Sequence, residues 1–466
     1  MEVSPSPTVW RSVRDALRGS HQDYTTVELN RAIILLAIPM VLEMVMESLF
    51  AVVDVFFVSG LGTEAIAAVA LTESVLTIIY AVAIGLSMAT TAMVARRVGE
   101  KDEEGAGEAA AHAIYLGIGL SVVIALIGIA FAPQILHLMG GDAKVVATGQ
   151  NFTRVILGGS VTIFLLFLNN AIFRGAGDAA IAMRALWLAN GVNIALNPCL
   201  ILGLGPFPEL GLLGSAVGTT IGRGCGVLYQ FWVLSQGRSR IILRAPQMRL
   251  KVNVMWRLMR VSFTGILQFL VSTSSWLGLI RIIATFGNSA LAGYLIAIRI
   301  IIFAILPSWG LCNAAATLVG QNLGALKPER AEKAVYQAGW YNMVFLGAIA
   351  VVFIVFATPL IGIFTHDPEV QRYGVSCLRF ISYGYMFYAW GMVTVQAFNG
   401  AGDTLTPTFI NLACQWILQI PLAWVLAYPV GMGPTGVFLA MTLSESVLAI
   451  VGLWLFRRGR WKGSVI

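Results

Sequence analysis

Charge is scarce in this chain: Asp, Glu, Lys and Arg make up 11% of its 466 residues, against 58% hydrophobic. A soluble globule of that composition would lack a polar surface, so the sequence excludes an aqueous fold and makes lipid the solvent. Cysteine is sparse too. Cys199, Cys225, Cys312, Cys377 and Cys414 are odd in number, without paired spacing, and in or beside apolar runs, so they read as small core residues. His21, His112, His137 and His366 have no ligand spacing, and no metal site is expected. No Gly-rich phosphate loop followed by Lys-Ser or Lys-Thr occurs. ATP is thereby set aside as an energy source, no cofactor is called for, and an ion gradient or downhill flow of substrate must drive any transport.

What the chain has is long apolar runs, each sufficient for a helix to cross ~30 Å of hydrocarbon. There are twelve: 32 to 58, 65 to 86, 111 to 132, 152 to 173, 180 to 203, 211 to 235, 257 to 285, 290 to 312, 334 to 357, 376 to 398, 407 to 428 and 434 to 456. Their length and continuity exclude an outer-membrane barrel, whose strands need about ten alternating residues. The fold class is therefore an all-α integral membrane protein. No cleavable signal peptide is expected in the polar first thirty residues, and the first span is read as an uncleaved anchor.

Basic residues give the orientation. Of 30 Lys and Arg, 23 fall before span 1, in or beside the loops between alternate spans, or in the tail, whereas the opposite side holds only Lys144, Arg154, Arg372 and Arg379. Lys and Arg in short loops stay cytoplasmic, so both termini are expected in the cytoplasm, with the protein multi-pass in the inner membrane. The organisation follows: a cytoplasmic segment 1–31, a six-helix lobe 32–235, a basic cytoplasmic linker 236–256, a second six-helix lobe 257–456 and a cytoplasmic tail 457–466. The net charge of +7 is thus a matter of topology and implies no nucleic acid.

The two lobes are copies. Phe173-Arg174-Gly175-Ala176-Gly177-Asp178 returns as Phe398-Asn399-Gly400-Ala401-Gly402-Asp403, and Leu61-Gly62, Val94 to Gly99 and Arg154 recur as Phe286-Gly287, Val319 to Gly324 and Arg379, all 225 residues on. Six spans per copy make the duplication parallel, related by an axis near the membrane normal. Two lobes meeting along such an axis enclose a cleft and can rock to expose it to either side, so the repeat implies a transporter.

Ion coupling needs a cation-binding group within the membrane, where charges are costly and by default functional. The first span has Glu43, Glu47 and Asp54, whose spacings place them within about 40° of one another around a helix. Such a stripe can take up protons or bind sodium, and sequence does not choose between them. Pro39, on the same span, removes a backbone hydrogen bond and offers a place to bend. Further charges lie within spans, including Glu73, Arg223, Arg281, Arg299 and Glu445, some of them expected to pair.

Pro39, Val53-Asp54-Val55, Gly60-Leu61-Gly62, the two Gly-Ala-Gly-Asp loops and Val319-Gly320-Gln321-Asn322-Leu323-Gly324 together resemble the multidrug and toxic compound extrusion (MATE) family. The resemblance covers all twelve spans. It implies two pseudo-symmetric six-helix bundles in a V shape and export of cationic or amphipathic drugs against entering protons or sodium ions. The acid on span 1 and its absence from span 7 look like the DNA-damage-inducible branch. That likeness makes Asp54 the cation-binding aspartate, Pro39 the bend, Asn193 the asparagine of span 5 and Thr219 the threonine of span 6. One departure stands out: some members have Asn-x-x-x-Asp-Pro on span 5, whereas Asn193-Ile194-Ala195-Leu196-Asn197-Pro198 has no second carboxylate. Asn197 still offers an oxygen, and Glu43 or Glu47 is a candidate to compensate.

Flat amphipathic cations suit Met and aromatic walls. Met40, Met44 and Met46 on span 1 and Gln268, Trp276 and Trp309 in the other lobe are candidates, with membrane lipids the remaining contacts and a monomer expected. Two other classes stay open. A flippase for lipid-linked sugars would need a cationic cleft, for which Arg223, Arg281 and Arg299 are available. An intramembrane enzyme would need a nucleophile with a base, or a metal cluster, and none is evident. The offset itself separates the lobes, since Glu43, Glu47 and Asp54 pair with Gln268, Ser272 and Leu279. The lobe with the acids is expected to carry the coupling ion, and its copy to form the moving wall.

Overall fold

The computed structural model of the chain describes residues 9–19 and 22–464. The elements are helices throughout, with no strand among the described residues: α1 (Val9–Arg18), α2 (Leu29–Ser59), α3 (Thr63–Gly99), α4 (Glu103–Leu138), α5 (Ala143–Gly158), α6 (Ser160–Ala176), α7 (Ala179–Leu202) and α8 (Leu212–Ser235) form the first half. The second half comprises α9 (Val252–Ala284), α10 (Asn288–Gly324), α11 (Pro328–Val355), α12 (Ala357–Gly362), α13 (Pro368–Tyr383), α14 (Tyr385–Gly400), α15 (Leu405–Asn411), a π-helical segment Leu412–Gln419, α16 (Ile420–Ala427) and α17 (Pro434–Arg457). Lipid cannot hydrogen-bond a peptide group, so apolar runs of this length close their hydrogen bonds internally as helices.

Among the described residues, nine helices are long and apolar enough to cross a membrane, and α5 with α6, bent by 40°, make a tenth. The two other expected spans, 211 to 235 and 376 to 398, coincide with α8 and with α13 and α14. α8 carries Arg223 and several glycines, and the other span is broken at Gly384 into two helices of 16 residues each. α3 and α10 each have 37 residues. At 1.5 Å per residue each spans about 55 Å and extends well beyond the hydrocarbon.

The duplication reaches the backbone. Element bounds repeat at 225 residues (Thr63 and Asn288, Ala143 and Pro368, Ser160 and Tyr385). So do the conformations between them: Lys101 and Leu326 have φ of 59° and 58°, unusual for residues other than glycine, and Gly177 and Gly402 have 87° and 83°. The break at Phe131 within α4 reappears at Phe356, between α11 and α12. Asp142 caps α5 by accepting from the Val145 amide, and Asp367 caps α13 by accepting from the Glu369 and Val370 amides. The local chemistry of helix ends is copied along with the hydrophobic pattern.

The halves meet along α2 against α10 and α3 against α9 and α10, with small residues at the closest points. A Cβ on Gly99 would lie 2.0 Å from the Gln321 carbonyl oxygen, and one on Gly310 2.6 Å from that of Met40. Backbones approach this closely only without side chains, the general device of helix pairs in lipid. Across the same seam Gln321 Nε2 donates to the Gly175 carbonyl at 2.9 Å and Thr317 Oγ1 to that of Arg174 at 3.1 Å. Tyr24 Oη donates to the Gly177 carbonyl at 3.2 Å, and Lys327 Nζ to that of Thr25 at 2.9 Å, so the stretch before α2 bridges both halves. The linker is fastened to the first half: Lys251 pairs with Glu108, its amide donates to His112 Nε2 at 2.7 Å, and Asp178 Oδ2 accepts from Ser239 Oγ at 2.7 Å.

Candidate functional site

Glu43 on α2 is buried, with 1% of its surface exposed. Its Oε1 accepts from Arg174 Nη1 at 2.8 Å and from Asn170 Nδ2 at 3.0 Å. Both donors come from α6, one turn apart on the same face. Asn170 in turn accepts from Gln230 Nε2 of α8 at 2.6 Å. Removing a carboxylate from water is expensive unless a cation and hydrogen bonds replace its hydration, and α6 supplies both. The other oxygen, Oε2, is buried with no hydrogen-bond partner among the described residues. It stays open to a proton or a cation while Arg174 and Asn170 hold Oε1.

One turn on, Glu47 interacts with the charge of Arg223 and the side-chain amide of Asn190. Arg223 Nη2 donates to Tyr80 Oη at 2.8 Å. Glu43, Glu47, Arg174 and Arg223 all border one chamber of about 220 Å³, whose apolar wall includes Met44, Met88, Phe167 and, from the second half, Trp309. Two carboxylates and two guanidiniums leave its walls formally neutral. A second chamber of about 330 Å³ lies in the other half against Gln268, Trp276, Trp309, Tyr388, Gln415 and Glu445. Met88, Trp309 and Gln396 border both, so the two chambers share a wall at the seam.

The expected site residues therefore separate into groups. Glu43 and Glu47 come together with Met44 in the first chamber, and Gln268 and Trp276 in the second, with Trp309 between them. Asn193, Asn197 and Thr219 also meet, but between α7 and α8, bordering neither chamber: Asn193 Nδ2 donates to Thr219 Oγ1 at 2.9 Å, and Asn197 Nδ2 to Asn193 Oδ1 at 3.2 Å. Asp54 lies on α2, and its side chain falls outside the described residues. Met40 is fully buried in the packing of α2 on α10 and faces neither chamber, because Gly310 draws the two backbones together there. α2 runs through Pro39 as a single helix.

Sequence reasoning does not single out Arg174, Asn170 or Asn190. Arg174 stands within the quoted repeat, and its pairing with neutral Asn399 is the available signal. Among the described residues no group of three or more His, Cys, Asp or Glu is arranged to hold a metal ion.

A duplicated helical scaffold with two chambers meeting at the seam, one holding a buried acid whose second oxygen has no partner, defines a membrane transporter built from parallel repeats. Known proteins agree with that class. The MatE family model matches residues 39–199 and 263–425, one stretch in each half, and the chain belongs to that family. It is 26% identical over 435 residues to a probable multidrug resistance protein NorM of Thermotoga maritima, covering 93% of this chain and 94% of that one. It is 25% identical over 410 residues to an FAD transporter of Shewanella oneidensis, covering 88% and 90%. Among solved structures it resembles a multidrug resistance MATE family transporter in an outward-facing conformation, with a TM-score of 0.88 at 28% identity, over 97% of this chain and 99% of that one.

Proposed function

We propose that this protein is a secondary active multidrug exporter, moving organic cations or amphipathic compounds across the inner membrane in exchange for protons or sodium ions by alternating access. The observation that carries the reading is Glu43: a buried carboxylate with one oxygen held by Arg174 and Asn170 and the other without a partner, in an apolar chamber at the seam between the halves. Such a group changes charge when a proton arrives, and the change acts on a residue bonded across the seam. The name of the Thermotoga relative supports the substrate class.

In this reading the lobes are 32–235 and 257–456, joined by the cytoplasmic linker 236–256. Asp54, Asn193, Asn197 and Thr219 act with Glu43 and Glu47 on the coupling cation, and α2 bends at Pro39 when that cation changes. Met44, Gln268, Trp276 and Trp309 contact substrate. Both termini are cytoplasmic and one chain suffices, because its two lobes already enclose the pathway. The seam contacts of Gly99, Gln321 and Thr317 then close the cytoplasmic side. Anionic cargo is less well served, since Arg174 and Arg223 are engaged by Glu43 and Tyr80, while Arg281 and Arg299 border neither chamber.

The test is dye efflux from proteoliposomes under a proton gradient and a sodium gradient applied separately, with Asp54→Asn and Glu43→Gln beside the wild type. Efflux under one gradient, lost in both variants, is expected. Full coupled transport by Asp54→Asn would remove Asp54 as essential carrier. Absence of efflux under either gradient, together with movement of FAD or a lipid-linked sugar, would replace the reading.

A further inference from the structure

The second chamber differs from the first in carrying a net charge. Among the described residues that border it, Glu445 is the one charged side chain, and no Lys, Arg or His faces it. No cation lies within ion-pair distance of Glu445 among the described residues; its Oε1 accepts only from Gln415 Nε2, at 3.2 Å. An ionised carboxylate can only accept, so this bond turns the Gln415 amide with its nitrogen toward Glu445 and its oxygen away. That oxygen is buried without a partner, and so is Oε1 of Gln268, a residue only 5% exposed. The residues that border the chamber thus include a carboxylate with no cation beside it and two glutamines whose buried amide oxygens have no partner. Leaving such atoms unpaired in a buried setting is costly. A ligand bearing N–H groups and positive charge would balance the carboxylate and, with a turn of the two glutamine side chains toward it, bond their oxygens.

The duplication locates the origin of this asymmetry. Helices α8 and α17 follow matching glycine turns, Gly211 with φ 55° and Gly433 with φ 59°, and their register places Glu445 where the first half has Arg223. Gln415 lies 225 residues beyond Asn190, which bonds Glu47 in the first half. The acid has moved from the first helix of the repeat to the last, and its balancing guanidinium has gone. Gln415 also falls within the π-helical segment Leu412–Gln419, whereas its counterpart α7 is an ordinary α-helix. A π turn inserted into one copy re-aims side chains there, and such turns gather at functional sites.

We propose that the second-half chamber is a recognition site in its own right for the ammonium-bearing aromatic portion of a cationic substrate. Glu445 is its counter-charge, the Gln268 and Gln415 oxygens accept its N–H groups, and Trp276, Trp309 and Tyr388 provide its aromatic walls. A volume of about 330 Å³ admits a three-ring planar cation, and ring faces attract such a charge. The neutral first chamber then takes the coupling cation beside the part of the substrate that reaches Met44, and the wall shared through Trp309 and Met88 lets occupancy of one be felt in the other. The assignment rests on the cationic-substrate reading above.

The experiment is equilibrium binding of proflavine, a planar cation with N–H donors, to the purified full-length chain, with fluorescein and FAD as anionic probes. Glu445→Gln is expected to weaken proflavine at least tenfold, Gln268→Leu severalfold, and Glu445→Asp less than Glu445→Gln because it keeps the charge. Thermal midpoints close to the wild type verify that the variants are folded. Proflavine binding by Glu445→Gln and Gln268→Leu within twofold of the wild type would overturn the proposal and leave cation export intact. Wild-type protein that binds FAD or fluorescein but no proflavine would overturn both.

Discussion

Arg174 holds Glu43 from two directions of the fold: its guanidinium donates to Glu43 Oε1 at 2.8 Å, while its own carbonyl accepts from Thr317 of the opposite half at 3.1 Å. The residue that neutralises the buried acid is therefore also stitched into the seam. The neighbouring Gly175 carbonyl accepts from Gln321 across the same boundary. A proton or cation reaching Glu43 weakens its hold on the Arg174 side chain. Its effect is delivered to the residue whose own backbone is bonded across the seam.

Removing Arg174 strands a carboxylate that is 1% exposed. Breaking a buried pair from one side costs about 3–5 kcal/mol, more than removing both charges together. Arg174→Ala is thus expected to melt well below the wild type in detergent, with Glu43→Gln added to Arg174→Ala recovering part of the loss. A double variant no more stable than Arg174→Ala alone would mean that the pair contributes little.

The seam depends on the absence of side chains. A Cβ at Gly99 would stand 2.0 Å from the Gln321 carbonyl oxygen, and one at Gly324 2.1 Å from that of Arg96. Neither backbone can yield without moving a half, so Gly99→Val is expected to force the ends of α3 and α10 apart. Spin labels on those ends should report a longer distance and transport should fall, with each half still folded. An unchanged distance would show that the two ends do not need to touch.

Much of this arrangement is legible in the sequence because it is repetitive. Hydrophobic length marks the spans, the 225-residue offset pairs them, and even the left-handed turns at Lys101 and Leu326 follow from the copied loops. The site is legible only where it consists of acids on an apolar helix, as for Glu43 and Glu47. What holds those acids comes from α6, α7 and α8, and no spacing rule links α2 to Asn170, Arg174 or Asn190. Met40 illustrates the converse: its helical face is right for the cleft, but Gly310 lies over it, and that approach is a property of the pair of helices.

Asp23 gives the stretch before α2 a pH dependence of known sign. Burial pushes its carboxyl up, but hydrogen bonds from the Thr25 hydroxyl and amide, with the charges of Lys101 and Lys327, outweigh it and hold the group below its ordinary value. A carboxyl lowered in the folded state contributes stability that is fully present above its unfolded value of about 3.9 and is lost as pH falls through the lower folded value. The segment should stay docked from about pH 5 upward and loosen below about pH 4. Hydrogen exchange across residues 22–31 would register this, and Asp23→Asn should remove the pH dependence while leaving the rest of the chain unaffected.

The two Gly-Ala-Gly-Asp loops make a final, paired prediction. Asp178 accepts from Ser239 Oγ at 2.7 Å and from the Arg240 amide at 2.9 Å, so it anchors the linker to the first half from a buried position. Asp403, its copy, accepts instead from the amide and hydroxyl of Thr406 three residues on, and serves only its own helix end. Hydrogen bonds to a buried charge are worth about 1.5–3 kcal/mol each, whereas loss of a helix cap costs typically about 1 kcal/mol. Asp178→Ala should therefore destabilise more than Asp403→Ala, and it alone should open the linker to trypsin at Arg238 and Arg240. Equal losses from the two variants, with the linker still protected, would place the anchoring of the linker elsewhere, in the contacts of Lys251 with Glu108 and His112.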